Sequence, residues 1–155
     1  MTTLLLSLLL TLIQAAVPGV RPLPAPLSVA RWWDPPPTPY AAGHRGVDLS
    51  APVGAEVRAV AAGRVHYAGP VAGRGVLSLA LPNGLRTTYE PVRALVAEGE
   101  AVAAGQVVAV LTEGSHCPAP CLHWGLLSGE QYLNPLTLLP RPAPRLLPHP
   151  VPAGG

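Results

Sequence analysis

Short apolar runs, separated by glycine and turn residues, occupy the middle of the chain. Apolar and polar positions alternate in many of these runs, and β-branched residues are plentiful, which favours strands over helices. The strands predicted in this way include residues 56–60, 63–69, 75–81, 85–89 and 106–111. Asn83-Gly84 predicts a hairpin, because this dipeptide readily takes the positive φ angles of a tight turn. We therefore predict an all-β fold, a compact antiparallel hybrid of barrel and sandwich built from short strands.

The two ends of the chain differ from this middle region. Residues 3–13 are almost wholly apolar and small residues follow them, a pattern that is typical of a secretory signal peptide and too short to span a bilayer. No lysine or arginine precedes Arg21, so a buried N-terminal helix stays open as the alternative. Proline is concentrated on both sides of the apolar middle. This pattern predicts a signal peptide at 1–16, a proline-rich linker at 17–31, one folded domain at 32–139 and a proline-rich disordered tail at 140–155.

The charged residues argue against two classes of function. The chain has 10 basic side chains, all of them arginine, and a formal charge of +2. The arginines are scattered and form no basic stripe, so we expect no nucleic-acid partner. Residues 96–107 resemble the turn-and-strand module of lipoyl and biotinyl carrier domains. Those domains attach their cofactor to a lysine, and this chain contains none.

Two separated motifs contain residue types that bind metals. His44 and Asp48 lie in the first motif, and His123 lies in the second. Two imidazoles and a carboxylate are ligands that suit a catalytic zinc ion, because three protein ligands leave a fourth position open for water. Taken singly, each residue has an ordinary structural explanation, as a surface histidine, a turn aspartate or a strand histidine.

Several further motifs follow these residues in order. The first motif reads His44-x-Gly46-x-Asp48, and the last reads Leu122-His123-Trp124. Other matching segments lie at residues 51–59, 62–69, 83–89, 98–106 and 134–136. In this order they resemble the lysostaphin-type (LytM-like) zinc endopeptidases, which cut peptide bridges in bacterial cell walls. The resemblance covers nearly the whole predicted domain and implies that His44, Asp48 and His123 bind Zn²⁺.

The same resemblance places two substitutions at the catalytic positions. The family's two non-ligand histidines, which help to orient the zinc-bound water and stabilise the tetrahedral intermediate, correspond to Cys121 and Pro91. Loss of such groups typically costs a factor of about 10²–10⁴ each. We therefore predict a zinc metalloendopeptidase-like protein with weak or absent hydrolysis. The alternative is a non-catalytic domain that keeps the zinc ligands and binds cell wall or regulates another hydrolase.

The loop before His123 contains further candidates. An even number of cysteines in an exported protein predicts a disulfide between Cys117 and Cys121, although a Cys121 thiolate as a fourth zinc ligand stays open. His116 is a candidate substitute for a lost catalytic histidine, and an exposed loop histidine is its plainer interpretation. Tyr89 and Trp124 are candidate substrate-binding residues, and Trp124 can equally serve in packing.

The resemblance also sets expectations for partners and location. We expect peptidoglycan peptides as the substrate, a secreted or cell-wall-associated bacterial protein, and no stable membrane span after processing. We expect a monomer.

Overall fold

The computed structural model describes residues 19–38 and 40–141. The predicted signal peptide at 1–16 and residues 142–155 of the predicted tail lie outside these ranges. The described residues form strands β1 (Val29–Arg31), β2 (Gly46–Ser50), β3 (Glu56–Arg58), β4 (Gly63–Val71), β5 (Arg74–Ala80), β6 (Leu85–Glu90), β7 (Val92–Ala94), β8 (Ala101–Val102), β9 (Val107–Leu111), β10 (Cys121–Ser128) and β11 (Gln131–Leu133), and a 3-10 helix at Pro135–Leu138. Among them, no helix is long and apolar enough to cross a membrane.

The strands form two antiparallel sheets, which confirms the predicted all-β fold. The larger sheet has the order β1-β2-β10-β6-β5-β4-β8, and β11 pairs with β10. The smaller sheet has the order β3-β9-β7. The five strands predicted by alternation correspond to β3, β4, β5, β6 and β9. The hairpin predicted at Asn83-Gly84 connects β5 to β6, and Gly84 has a φ of 79°.

The core includes the inward faces of β2, β6 and β10. Leu122, Trp124 and Leu126 alternate along β10 and are at most 1% exposed. The indole N–H of Trp124 donates to Thr87 Oγ1 at 2.9 Å, and the Thr87 hydroxyl donates to the carbonyl of Gly125 at 3.1 Å. Burial of polar groups costs little when each has a partner, so this chain of hydrogen bonds allows an indole in the core.

The N-terminal segment packs against the domain, although its prolines predict a linker at 17–31. Val29 of β1 pairs with Leu49 of β2. The N–H of Val20 donates to the carbonyl of Val60, and Leu23 is 4% exposed. Proline cannot donate a backbone hydrogen bond, but the residues between prolines can, so a proline-rich segment can still place a short strand such as β1 at a sheet edge. The packed unit therefore begins before residue 32.

Candidate metal centre

The register between β2 and β10 brings the two metal-binding motifs together. His123 pairs directly with Asp48, and Trp124 pairs with Val47. Val47 and Trp124 are buried in the core at 0% exposure. Because successive strand residues point to opposite faces, Asp48 and His123 share the other face of the sheet. Strand pairing thus joins residues that lie 75 positions apart in the sequence.

The glycine of the first motif makes room for the histidine of the second. A Cβ atom added at Gly46 would lie 2.5 Å from the carbonyl oxygen of Trp124 and 2.8 Å from the ring of His123. Both distances are far below van der Waals contact. Any larger residue at position 46 would therefore force the His123 ring or the β10 backbone to shift.

His44 lies two residues before β2 and is held from both sides. Its backbone N–H donates to the carbonyl of Asp34 at 2.6 Å, and its carbonyl accepts from the N–H of Asp34 at 3.1 Å. Its Nδ1 lies 2.7 Å from the carbonyl oxygen of Trp32. A carbonyl only accepts, so Nδ1 carries the proton that forms this bond. In the neutral ring, Nε2 is then left with a free lone pair.

That lone pair faces the carboxylate. His44 Nε2 lies 3.1 Å from Asp48 Oδ1, which is within ion-pair distance, but it has no hydrogen-bond partner. His44 is 4% exposed, so bulk water does not satisfy Nε2. An acceptor nitrogen and a carboxylate oxygen that face each other in a buried place suit a cation bound by both.

Two more histidines complete the cluster around Asp48. His123 Nδ1 lies 2.7 Å from Asp48 Oδ1, and His116 Nε2 lies 2.8 Å from Asp48 Oδ2. One ligand atom from each of His44, Asp48, His116 and His123 lies within 4.8 Å of the others. His44 and His123 thus share one carboxylate oxygen, and His116 contacts the other.

The charge of Asp48 is stabilised by its histidine neighbours. Burial raises the pKa of this carboxyl, but hydrogen bonds from His123 and His116, and the attraction of His123 and His44 when their rings are protonated, lower it to about 2. Asp48 is therefore ionised at neutral pH, as a metal-ligating carboxylate must be. Imidazole nitrogens and a carboxylate oxygen are a donor set that zinc accepts, so the residues fit the ion.

The sequence pattern of Peptidase family M23 matches residues 42–135, which include all four residues of this cluster. The chain belongs to peptidase family M23. It is 45% identical over 133 residues to the uncharacterized protein Rv2891 of Mycobacterium tuberculosis, and the match covers 82% of this chain and 53% of that protein. This chain therefore spans about half the length of the curated relative it matches.

Solved structures show the same fold. A zinc containing peptidase from Vibrio cholerae superposes with a TM-score of 0.63 at 25% identity, over 72% of this chain and 37% of that one. Lysostaphin, the antimicrobial peptidase from Staphylococcus simulans, superposes with a TM-score of 0.65 at 23% identity. That superposition covers 81% of this chain and 56% of lysostaphin, and at this identity it supports the fold alone.

Two predicted substrate-binding residues of the M23 domain lie in its core instead. Tyr89 and Trp124 are both 0% exposed. The Tyr89 hydroxyl accepts a hydrogen bond from the N–H of Val60 at 3.2 Å, and the Trp124 indole is bonded to Thr87. Strand alternation turns both side chains away from the face of the metal cluster, so neither can contact a substrate there.

The remaining predicted residues lie at or beside the cluster. Cys117 and Cys121 form the predicted disulfide, so in this state Cys121 is not a thiolate ligand. Pro91 is buried directly after β6. His116, which precedes the disulfide, is 34% exposed at its side chain and yet contacts Asp48. Its catalytic role remains a prediction, although its position beside the carboxylate is what that role requires.

Sequence reasoning missed two contributors to the site. The carbonyl of Trp32 orients His44, and no sequence motif marks a backbone group of this kind. Glu90 pairs with His123 across β6 and β10, so it lies on the face of the cluster. Its carboxylate lies 3.5 Å from a guanidinium nitrogen of Arg74. No sequence motif marks Glu90, because its place opposite His123 depends on the pairing of β6 with β10.

Proposed function

We propose that this M23 domain is exported, binds zinc through His44, Asp48 and His123, and acts on peptide cross-bridges of peptidoglycan with weakened hydrolysis. The observation that carries the proposal is the convergence of these three side chains, with His116, from separated parts of the chain. Family membership supports a peptidoglycan hydrolase-like activity. The predicted signal peptide and the disulfide support export, because disulfides persist mainly in oxidising compartments.

The protein residues divide the work according to their positions. Zinc bound at this site would polarise a carbonyl and lower the pKa of a bound water. In its neutral form His44 presents an unprotonated Nε2, because the Trp32 carbonyl holds its other nitrogen as a donor. Asp48 supplies a negative charge, because its histidine neighbours keep its carboxyl group ionised. His123 approaches from β10 on the same carboxylate oxygen as His44.

His116 is the proton carrier in this proposal. It contacts Asp48 Oδ2, whereas His44 and His123 contact Oδ1. It is also the most exposed residue of the cluster, with 34% of its side chain accessible. A group that exchanges protons between a substrate and solvent must reach both, and His116 meets this condition.

The weakened activity follows from the two substituted positions. Pro91 has no side-chain proton to exchange, and Cys121 is tied in a disulfide. One half-exposed histidine thus stands in for the two groups that the family resemblance implies. We expect slow cleavage that depends on His116.

The test is digestion of purified peptidoglycan by the full chain, with and without a chelator, followed by separation of the released peptides. We expect slow, chelator-sensitive release, and His116→Ala should reduce it by a factor of about 10²–10⁴. The matched control is His66→Ala, because His66 is an exposed histidine that contacts Arg86 on β6 rather than Asp48. Zinc bound per chain should stay unchanged in His116→Ala, which separates a proton carrier from a fourth ligand.

A second candidate function is supported by the same two substitutions. With Pro91 and a disulfide-bonded Cys121 at the catalytic positions, the domain can bind wall peptides without cutting them. In that case wild type and His116→Ala would both sediment with peptidoglycan, and neither would release peptides. Fast release that His116→Ala leaves unchanged would contradict both the weakened site and the role of His116.

A further inference from the structure

The disulfide lies directly beside the carboxylate of the histidine cluster. One ligand atom from each of Asp48, Cys117 and Cys121 lies within 4.8 Å of the others. Asp48 is 0% exposed and Cys121 is 1% exposed. The same buried carboxylate therefore borders two donor sets, one made of imidazoles and the other of sulfur atoms.

The position of Cys121 is set by the sheet rather than by the loop. Cys121 pairs with Ser50, and His123 pairs with Asp48, in the same β2–β10 ladder. Residues two apart on a strand point to the same face, so Cys121 and His123 both point toward the cluster. Opening the disulfide would leave the Cys121 sulfur on this face, because the strand hydrogen bonds that place it do not involve the S–S bond.

We propose that Cys117, Cys121 and Asp48 form a second metal site, for a soft divalent cation such as Zn²⁺ or Cd²⁺, which the disulfide masks and reduction exposes. Thiolates are strong ligands for soft cations, whereas the sulfurs of a disulfide carry no charge. A dithiol reductant would transfer two electrons and two protons to the S–S bond and become a disulfide itself. The two new thiols would release their protons when the cation binds.

The second site would compete with the first for Asp48. This inference rests on the proposed function in one respect, because both sites use the Asp48 carboxylate. His123, whose Nδ1 lies 2.7 Å from Asp48 Oδ1, could complete a set of four donors with the carboxylate and the two sulfurs. A zinc ion with four protein ligands has no open position for water. His116 adjoins Cys117, so opening the disulfide would also loosen the contact between His116 and Asp48. Reduction would thus convert an open site into a closed one.

The test uses Co²⁺ and Cd²⁺ as probes on the full chain. One sample is oxidised, and the other is reduced with a dithiol and desalted without oxygen. The oxidised chain should bind Co²⁺ without sulfur-to-cobalt charge-transfer absorption, and the reduced chain should gain that near-ultraviolet band. Saturating Cd²⁺ should lower the number of thiols that react with a thiol reagent from two to zero per reduced chain.

Two variants keep the outcome interpretable. Cys117→Ala keeps Cys121 on β10 without a disulfide and should show the band without any reductant. Replacement of both cysteines by alanine should abolish the band. Circular dichroism checks that each sample keeps its sheets. A folded reduced chain without the band, or a reduced chain that stays unfolded with Cd²⁺, would overturn the inference.

The same samples separate this inference from the proposed function. Co²⁺ binding by the oxidised chain, without the band after reduction, would support the histidine site and overturn the sulfur site. The band after reduction, with no binding by the oxidised chain, would overturn the zinc site of the proposed function and support the sulfur site.

Discussion

At the residue scale, Asp48 is the point where the parts of the site meet. Its Oδ1 lies near His44 and His123, and its Oδ2 lies near His116. Burial alone would raise the pKa of this carboxyl, but its histidine neighbours lower it to about 2. One side chain thus fixes three imidazoles around a single charge.

Thr87 has a similar linking role in the core, because its hydroxyl connects the Trp124 indole to the backbone of β10. We expect Thr87→Val to lower the free energy of unfolding by about 1–3 kcal/mol, since it leaves the buried indole N–H without an acceptor. Urea denaturation followed by tryptophan fluorescence measures this change. Thr88→Val, at a half-buried position on the same strand, is the control and should cost less. Equal costs at both positions would contradict this explanation.

Tyr89 predicts how stability changes at high pH. Burial raises the pKa of its hydroxyl to about 12, outweighing its hydrogen bonds with Val60 and Thr87, which lower it. In the unfolded chain tyrosine loses its proton near pH 10, so above that pH the unfolded state binds fewer protons than the folded state. The free energy of unfolding should therefore fall between pH 10 and about 12. Below pH 10 the ionisation of Tyr89 should have no effect on it. In Tyr89→Phe, the free energy of unfolding measured by denaturation should fall less steeply over this pH range. An equally steep fall in the variant would mean that other groups cause the pH dependence.

At the element scale, the β2–β10 ladder explains how two distant motifs become one site. Val47, Leu49, Leu122 and Trp124 bury one face of the ladder, and this fixes which residues occupy the other face. A register shift by one residue would exchange the two faces. Packing of the core therefore determines the alignment of Asp48 with His123.

Gly46 offers a direct test of this ladder. We expect Gly46→Ala to weaken zinc binding, because its Cβ would overlap the His123 ring and the Trp124 carbonyl. A loss of about 10–100-fold is typical when a metal ligand loses its orientation. Competition with a chromogenic chelator measures the affinity. Gly129→Ala is the control: its φ of 57° makes alanine strained, but its Cβ would meet open space. Unchanged zinc affinity in Gly46→Ala would contradict the role of the close contact.

The sequence predicts the elements better than it predicts their contacts. Alternation was sufficient to predict five of the strands, and the ordered motifs contained three of the four residues that form the cluster, all except His116. Burial of Tyr89 was missed, and that of Trp124 was one of two open interpretations, because their orientation depends on the strand face and not on the residue type. β1 was missed because its pairing with β2 is long-range and its flanking prolines resemble a linker.

At the scale of the whole molecule, the site connects the N-terminal segment to the last strands. The carbonyl of Trp32 holds His44, β2 carries Asp48, and β10 carries His123. A ligand that binds only the folded chain must stabilise all of these parts together.

Zinc should therefore raise the thermal stability of the oxidised domain. At a free zinc concentration of about 100 times Kd, binding to the folded state alone would add about 2.7 kcal/mol. Thermal melts with zinc and with a chelator measure this difference. His123→Ala should remove most of it, because two ligands hold zinc poorly. An equal gain in wild type and His123→Ala would mean that zinc binds elsewhere.

The zinc site formed by His44, Asp48 and His123 is tested by an anomalous difference map. The data would be collected at the zinc absorption edge from crystals of the oxidised, zinc-loaded chain. We predict one strong peak at about 2.0–2.2 Å from His44 Nε2, an oxygen of Asp48 and His123 Nδ1. A map with zinc bound only at other residues, while these three side chains keep the positions described above, would contradict the claim that they form a zinc site.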